Sequence, residues 1–234
     1  MVAHEPSVTG ILIDLDGTLL DHETAAARAV ADWSHTVRDW SGSDDDAIGL
    51  WRLLEAQHFG QFEAGVCSFT EQRRRRVRGF SPSLSGVTDA EADAAFAGYL
   101  ARYEANWLAF PDAAPFVERA LSAGVPVGVL TNGDQRQQAA KLDRIGVSRP
   151  PVKLFASSAL GFAKPDRRSF RLACAGLGTR PSSTVMIGDD YTKDVLAARA
   201  AGLQTIHLDR RPGPLAAGSV GSLTELLDLR FVRP

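Results

Sequence analysis

Apolar residues along this chain gather in short blocks that each stop at a polar turn. Ile11, Leu12 and Ile13 run into Asp14 and are followed by Gly17 and Thr18; residues 125–130 stop at Thr131, Asn132 and Gly133; residues 184–187 stop at Gly188, Asp189 and Asp190; residues 204–208 form a further block. Blocks without polar alternation predict strands buried on both faces. Between them the spacing turns helical. Asp112 opens a segment with Phe116, Val117, Ala120 and Leu121 on one face and Gly124 at its stop; Asp134 opens another that ends at Ile145 and Gly146; a third follows Asp194 and stops at Gly202. Strand and helix in alternation predict an α/β fold, a doubly wound parallel sheet.

Residues 21–110 break that alternation and read as helix after helix. Ser68 with Glu71 and Thr88 with Glu91 have capping-box spacing, and Phe96, Leu100, Tyr103 and Trp107 recur at helical intervals. The chain therefore divides into a core, 1–20 with 111–234, and an inserted α-helical subdomain whose aromatic stripe is read as its own core. Arg73, Arg74, Arg75, Arg76 and Arg78 form a dense basic run there. Consecutive residues point around the whole helix and cannot all reach one site, so the run is read as a solvated face. Towards the C-terminus, residues 215–221 are rich in Gly and Ala, and the apolar segment 223–229 reads as a closing helix.

Composition narrows the function. With 26 basic and 28 acidic residues the net charge is −2, which removes the electrostatic case for a general nucleic-acid binder. Hydrophobic residues at 44% supply a core. Cys67 and Cys174 lie far apart with no CxxC spacing, so no disulfide framework or zinc site is expected, and a cytoplasmic location fits. The N-terminal stretch lacks a basic region followed by an apolar run, and neither a signal peptide nor a membrane span is expected. Lysine is scarce: Lys141, Lys153, Lys164 and Lys193 are the four in the chain, so one in a special place stands out.

The chemistry lies where the acids fall. Asp14 and Asp16 end one predicted strand, Asp189 and Asp190 another, and in an open α/β sheet the carboxyl edge is where ligands bind. Any one of them could be a helix N-cap, the reading favoured for Asp190. Two carboxylate pairs on one edge repel unless a hard divalent cation, Mg²⁺ above all, neutralises them. Thr131, Asn132 and Gly133 offer a hydroxyl and turn N–H groups suited to phosphoryl oxygens. Lys164, before Pro165 and Asp166, supplies a cation, unless it is a solvated surface lysine.

In this order the residues resemble the haloacid dehalogenase (HAD) superfamily, specifically its phosphatase branch. Asp14-Leu15-Asp16-Gly17-Thr18 looks like motif I, Thr131-Asn132-Gly133 like motif II, Lys164-Pro165 like motif III, and Gly188-Asp189 with Asp194 like motif IV, while residues 21–110 match the family's C1 cap. The stretch 132–202 is similar to nucleotidase and phosphoglycolate-phosphatase members. The resemblance implies a Mg²⁺-dependent hydrolase of small phosphate monoesters, with Asp14 as nucleophile and metal ligand, Asp16 as acid then base with its carbonyl on the metal, and Lys164 balancing charge. It further implies Asp189 as metal ligand and Asp194 orienting it from behind. Dehalogenases of the superfamily lack the second acid of motif I, because a halide leaves without a proton, so Asp16 argues for phosphoryl chemistry. A cap folded over the strand edge would exclude water and large substrates. Two alternatives stay open: a phosphomutase with the same core, and a non-catalytic binding or regulatory protein of this fold.

Overall fold

The computed structural model describes residues 8–148 and 151–228; the N-terminal stretch searched for a leader and Leu229 of the expected closing helix lie outside them. Two compact units are present, one from Met1–Asp21 and Leu108–Pro234, the other from His22–Trp107. In chain order the helices are α1 (His22–Ser34), α2 (Asp44–Glu63), α3 (Phe69–Phe80), α4 (Asp89–Ala105), α5 (Ala113–Ser122), α6 (Gln135–Arg144), α7 (Ser157–Leu160), α8 (Arg167–Leu177) and α9 (Ala197–Ala201). The strands are β1 (Gly10–Ile13), β2 (Val127–Thr131), β3 (Lys153–Ala156), β4 (Thr184–Gly188), β5 (Gln204–Leu208) and β6 (Ser219–Val220).

The first unit is a parallel sheet in the order β3-β2-β1-β4-β5-β6. Ile11 lies opposite Val127 on one side and Val185 on the other. Leu12, Leu130 and Met186 meet Phe170, Ala173 and Cys174 of α8 and Ala197, Ala198 and Ala201 of α9. Alternate residues of a strand face opposite ways, so Ile11 and Ile13 turn to the other face, and they too are buried. Burial on both faces is why these strands read as unbroken apolar blocks. From β1 the chain steps outward through β2 and β3, then returns to β4 and steps outward the other way. The switch between β1 and β4 opens a crevice at the carboxyl ends of the strands.

Asp112 opens a helix as expected, while the expected closing helix needs correction. Asp112 stands at the N-cap position of α5 but makes no cap bond; its carboxylate instead accepts from Arg210 Nη1 and Nη2 (3.0 and 2.8 Å), Ser222 Oγ (2.6 Å) and the Leu223 N–H (2.8 Å). Charged and backbone donors from a distant segment outcompete the local N–H groups. The C-terminal apolar segment forms only a short 3₁₀ turn, Leu223–Leu226, which Ser222 caps.

In the second unit α1 packs on α2 and α4, and α3 packs on the same two. Thr88 and Glu91 form the reciprocal box; Ser68 accepts from the Glu71 N–H, but the Glu71 carboxylate goes to Arg75 instead. Phe96, Tyr103 and Trp107 are buried together with Trp33, Trp51, Phe80 and Tyr99, while Leu100 is only half-buried. The arginine run is only in part a solvated face. Arg74 pairs with Asp89 and Asp93, Arg75 with Glu71, and Arg78 with Asp89; Arg73 lies over the Phe69 ring. Arg76 is 4% exposed, 2.9 Å from Glu55 Oε1 and 4.4 Å above Trp51. Because α3 sits between α2 and α4, Arg76 meets neighbours rather than water, while Arg73, Arg74, Arg75 and Arg78 stay half-buried at its rim.

Candidate active site

The site begins where β1 ends. The Asp14 N–H still donates to the Ile187 carbonyl on β4 (2.9 Å), after which the chain curls so that Thr18, Leu19 and Leu20 all donate to the Leu15 carbonyl. Gly17 makes the curl possible: its φ is +82°, and a Cβ there would fall on the Asp189 carboxylate. The sequence thus brings motif I against the end of β4 through a residue with no side chain.

Asp14, Lys164 and Asp194 form a buried centre. Lys164 Nζ donates to Asp14 Oδ1 (2.5 Å) and Asp194 Oδ1 (2.6 Å); the three residues are 4%, 7% and 0% exposed for Lys164, Asp14 and Asp194. Asn132 fixes the lysine by its backbone: Lys164 N–H donates to Asn132 Oδ1 and Asn132 Nδ2 donates to the Lys164 carbonyl, both at 2.8 Å. Asp194 lies in one turn of π-helix, Tyr191–Leu196, that leads into α9. Its Oδ2 accepts from the Asp190 N–H (3.2 Å), and Gly188 leaves room for it, since a Cβ there would collide with the carboxylate. Asp190 caps this turn through the Thr192 and Lys193 N–H groups. Asp189, open to solvent, accepts from Thr18 Oγ1 (3.2 Å), and its carbonyl meets His207 Nε2 (3.0 Å).

Carboxylate oxygens of Asp14, Asp189 and Asp194 lie within 4.8 Å of one another, the one such group among the described residues. Burial, then the charge of Asp194, pushes Asp14 up to about 7 despite Lys164 beside it. Partial desolvation of Asp189, then the charge of Asp14, raises it as well, and burial raises Asp194. Burial alone would lower Lys164, but Asp14 and Asp194 outweigh it and hold the ammonium above its ordinary range. Three carboxylates against one ammonium leave an excess of negative charge on hard oxygen donors. That donor set fits a divalent cation, which would draw the protons off.

Asp16 is held elsewhere. Its Oδ1 and Oδ2 accept from Lys141 Nζ at 2.8 and 2.7 Å, and Oδ2 also accepts from Gln138 Nε2 at 3.2 Å, so its carboxylate is not part of the cluster. Gln138 Nε2 further donates to Thr131 Oγ1 (2.8 Å) and the Asn132 carbonyl (3.0 Å). Sequence reasoning missed Lys141, Gln138 and His207. The scarcity of lysine that singled out Lys164 applied equally to Lys141, which is 4% exposed.

An acid cluster and a buried lysine thus meet at the switch point of a parallel sheet. The family model for haloacid dehalogenase-like hydrolases matches residues 8–202, and the chain belongs to that family. Within it the chain stands with the phosphatases. The ribulose-1,5-bisphosphate 5-phosphatase of Halopiger xanaduensis is 35% identical over 203 residues, 86% of this chain and 84% of that protein. A phosphoserine phosphatase of Thermus thermophilus is 36% identical over 101 residues, 43% of this chain but only 41% of that protein, so the likeness there spans less than half of either. Among solved structures, the magnesium-bound HAD-hydrolase YfnB of Bacillus subtilis superposes with a TM-score of 0.76 at 21% identity, covering 95% of this chain and 100% of that one. Haloacid dehalogenases share the fold as closely, so the fold by itself does not separate the two chemistries.

Proposed function

We propose that this chain hydrolyses a small phosphate monoester through an aspartyl-phosphate on Asp14, with Mg²⁺ in the acid cluster. The observation that carries the reading is the buried Asp14–Lys164–Asp194 contact at 2.5 and 2.6 Å beside Asp189. A phosphomonoester dianion repels a carboxylate, and the Lys164 ammonium offsets the charge that gathers on the phosphoryl oxygens. Asp14 attacks phosphorus while the ester P–O bond breaks, and the departing oxygen takes a proton from Asp16. Water then attacks the aspartyl phosphate and gives a proton back to Asp16 as the Asp14–phosphorus bond breaks and phosphate leaves. The Thr131 hydroxyl, at the end of β2, and the N–H groups of the turn after it hold phosphoryl oxygens. Asp14, Asp189 and the Asp16 carbonyl would hold the Mg²⁺, with Asp194 orienting Asp189; when bound the ion supplies charge neutralisation and polarises the phosphoryl group. The family's dehalogenase chemistry needs no second acid, and Asp16 supports the phosphatase reading. So do the small phosphorylated metabolites in the relatives' names.

The inserted helical unit, His22–Trp107, is proposed to be a C1-type cap. The test is a panel of small phosphate esters, a phosphopeptide and an end-phosphorylated oligonucleotide, each with Mg²⁺ and with excess chelator. Free phosphate released from small esters only, and only with Mg²⁺, is expected. An isomerised ester without free phosphate would mean a mutase, and full activity in chelator would overturn the metal.

A further inference from the structure

Lys141 carries a charge inside the core unit, and nothing in the mechanism above uses it. Taking an ammonium out of water costs several kcal/mol unless a counter-charge meets it with good geometry. Here the counter-charge is Asp16, with both carboxylate oxygens on Nζ at 2.7 and 2.8 Å. Three residues earlier on the same face of α6, Gln138 is 1% exposed, and its amide nitrogen gathers Asp16 Oδ2, Thr131 Oγ1 and the Asn132 carbonyl. The start of α6 is itself fixed to the end of β2, because Asp134 caps it through the Arg136 and Gln137 N–H groups directly after Gly133. Lys141 and Gln138 therefore stand on a rigid helix, and the Asp16 side chain is tied down at both oxygens.

We propose that Lys141, aided by Gln138, is the positioning residue for Asp16, holding its carboxylate where it exchanges a proton with the ester oxygen and then with water. The proposal rests on the acid–base reading of Asp16 and adds a residue to it. Lys141 acts through Asp16, as Asn132 acts through Lys164. A proton-transfer group must sit within hydrogen-bond reach of its target, and a side chain released from both oxygens samples other rotamers.

The test is a double-mutant cycle of Lys141→Met and Asp16→Asn, with turnover of an alkyl phosphate and of p-nitrophenyl phosphate. The alkyl leaving group needs a proton and the nitrophenolate does not. Lys141→Met is expected to lower kcat/KM, which reports the step that expels the leaving group and not the later hydrolysis common to both esters, by about 100-fold on the alkyl ester, at the lower end of what acid–base catalysis contributes, and by much less on the aryl ester. Lys141→Gln, which keeps one donor, is expected to lie between. In the Asp16→Asn background, Lys141→Met is expected to add no more than about twofold on the alkyl ester. Mg²⁺ affinity measured by calorimetry should stay unchanged in Lys141→Met, which separates a misplaced side chain from a collapsed motif.

Equal losses on both esters, losses that multiply across the cycle, or weakened Mg²⁺ binding would overturn the role. If Asp16→Asn itself lowers kcat/KM for both esters equally, the acid role of Asp16 fails instead, so the two failures are distinguishable. Asp16→Asn strands the buried Lys141 ammonium, and Lys141→Met leaves the part-exposed Asp16 carboxylate without it; should Lys141→Met fail to fold, the double variant, which removes both charges, is compared with Asp16→Asn alone and decides.

Discussion

Replacing Asp14 by Asn should make the metal-free protein more stable while abolishing turnover. In the fold Asp14 is pushed up to about 7 by burial, then by its acidic neighbours, whereas in the unfolded chain it titrates at about 3.9. An acid whose folded value is raised binds more protons folded than unfolded between those two values. Stability therefore falls as pH climbs from about 4 to about 7 and stays low above that. At 1.36 kcal/mol per unit, the ionised carboxylate destabilises the metal-free fold by on the order of 2–4 kcal/mol at pH 8. Asn carries no charge, and Lys164 keeps Asp194 at 2.6 Å. The gain should appear at pH 8, shrink to little at pH 4, and be reversed by Mg²⁺, which stabilises the wild type more than the variant. All four tryptophans lie between Trp33 and Trp107, in the helical unit, so intrinsic fluorescence reads the wrong unit. Hydrogen exchange at the amides of β1 and β4 reads the right one. A variant less stable than wild type at pH 8 without metal, or a gain undiminished at pH 4, would refute the electrostatics. Turnover within about tenfold of wild type, some 1.4 kcal/mol of barrier, would refute Asp14 as nucleophile.

Three further outcomes are expected. Gly188→Ala, whose Cβ would strike the Asp194 carboxylate, should weaken Mg²⁺ binding and lower kcat at least tenfold, read by calorimetry and phosphate release; unchanged affinity would separate Asp194 from the metal site. Burial alone would raise Asp112, but Arg210 and Ser222 hold it below the usual carboxylate range, so its stabilisation is present above about pH 4 and lost as pH falls through the lower folded value. Asp112→Asn should therefore lose about 1–3 kcal/mol at pH 7, a loss that shrinks below pH 4 in denaturant titrations followed by circular dichroism. Arg76→Met, which strips Glu55 of its ion pair and Trp51 of a stacked guanidinium, should destabilise the helical unit by about 1–3 kcal/mol; fluorescence unfolding checks this, and a neutral outcome would make the pair dispensable.

The central strands were legible because burial on both faces leaves no polar residue inside them, and the site was legible because its acids follow those strands directly. β3 was not legible: its short apolar run follows the exposed Lys153 and passes directly into α7 with no Gly or Asp turn to mark its end. β6, two residues at the edge, offers still less. The arginine run misled because charge was taken as a sign of solvent, whereas the partners Asp89, Asp93 and Glu55 come from other helices and cannot be seen from within α3. The partners of Asp112 were equally invisible, since they lie about a hundred positions further along the chain. Local signals such as the Thr88–Glu91 box and the Asp134 cap held because donor and acceptor are only a few residues apart.

Asp14 and Asp16 pose a problem that chain geometry alone does not solve: two carboxylates two residues apart, on one turn, to which the proposed mechanism gives different work. The fold answers with two lysines from different elements. Lys164, placed by Asn132, takes Asp14 and links it to Asp194; Lys141, placed by α6, takes Asp16 away from the cluster. In a chain with 26 basic residues of which only Lys141, Lys153, Lys164 and Lys193 are lysines, both buried cations of the centre are lysine. A guanidinium is a broad planar fork that prefers to grip one carboxylate with two nitrogens, whereas an ammonium is a compact charge with three donors that can serve two acids at once. Lys164 does the second of these between Asp14 and Asp194, and Gly188 leaves the second acid its place, since a methyl group there would strike the Asp194 carboxylate.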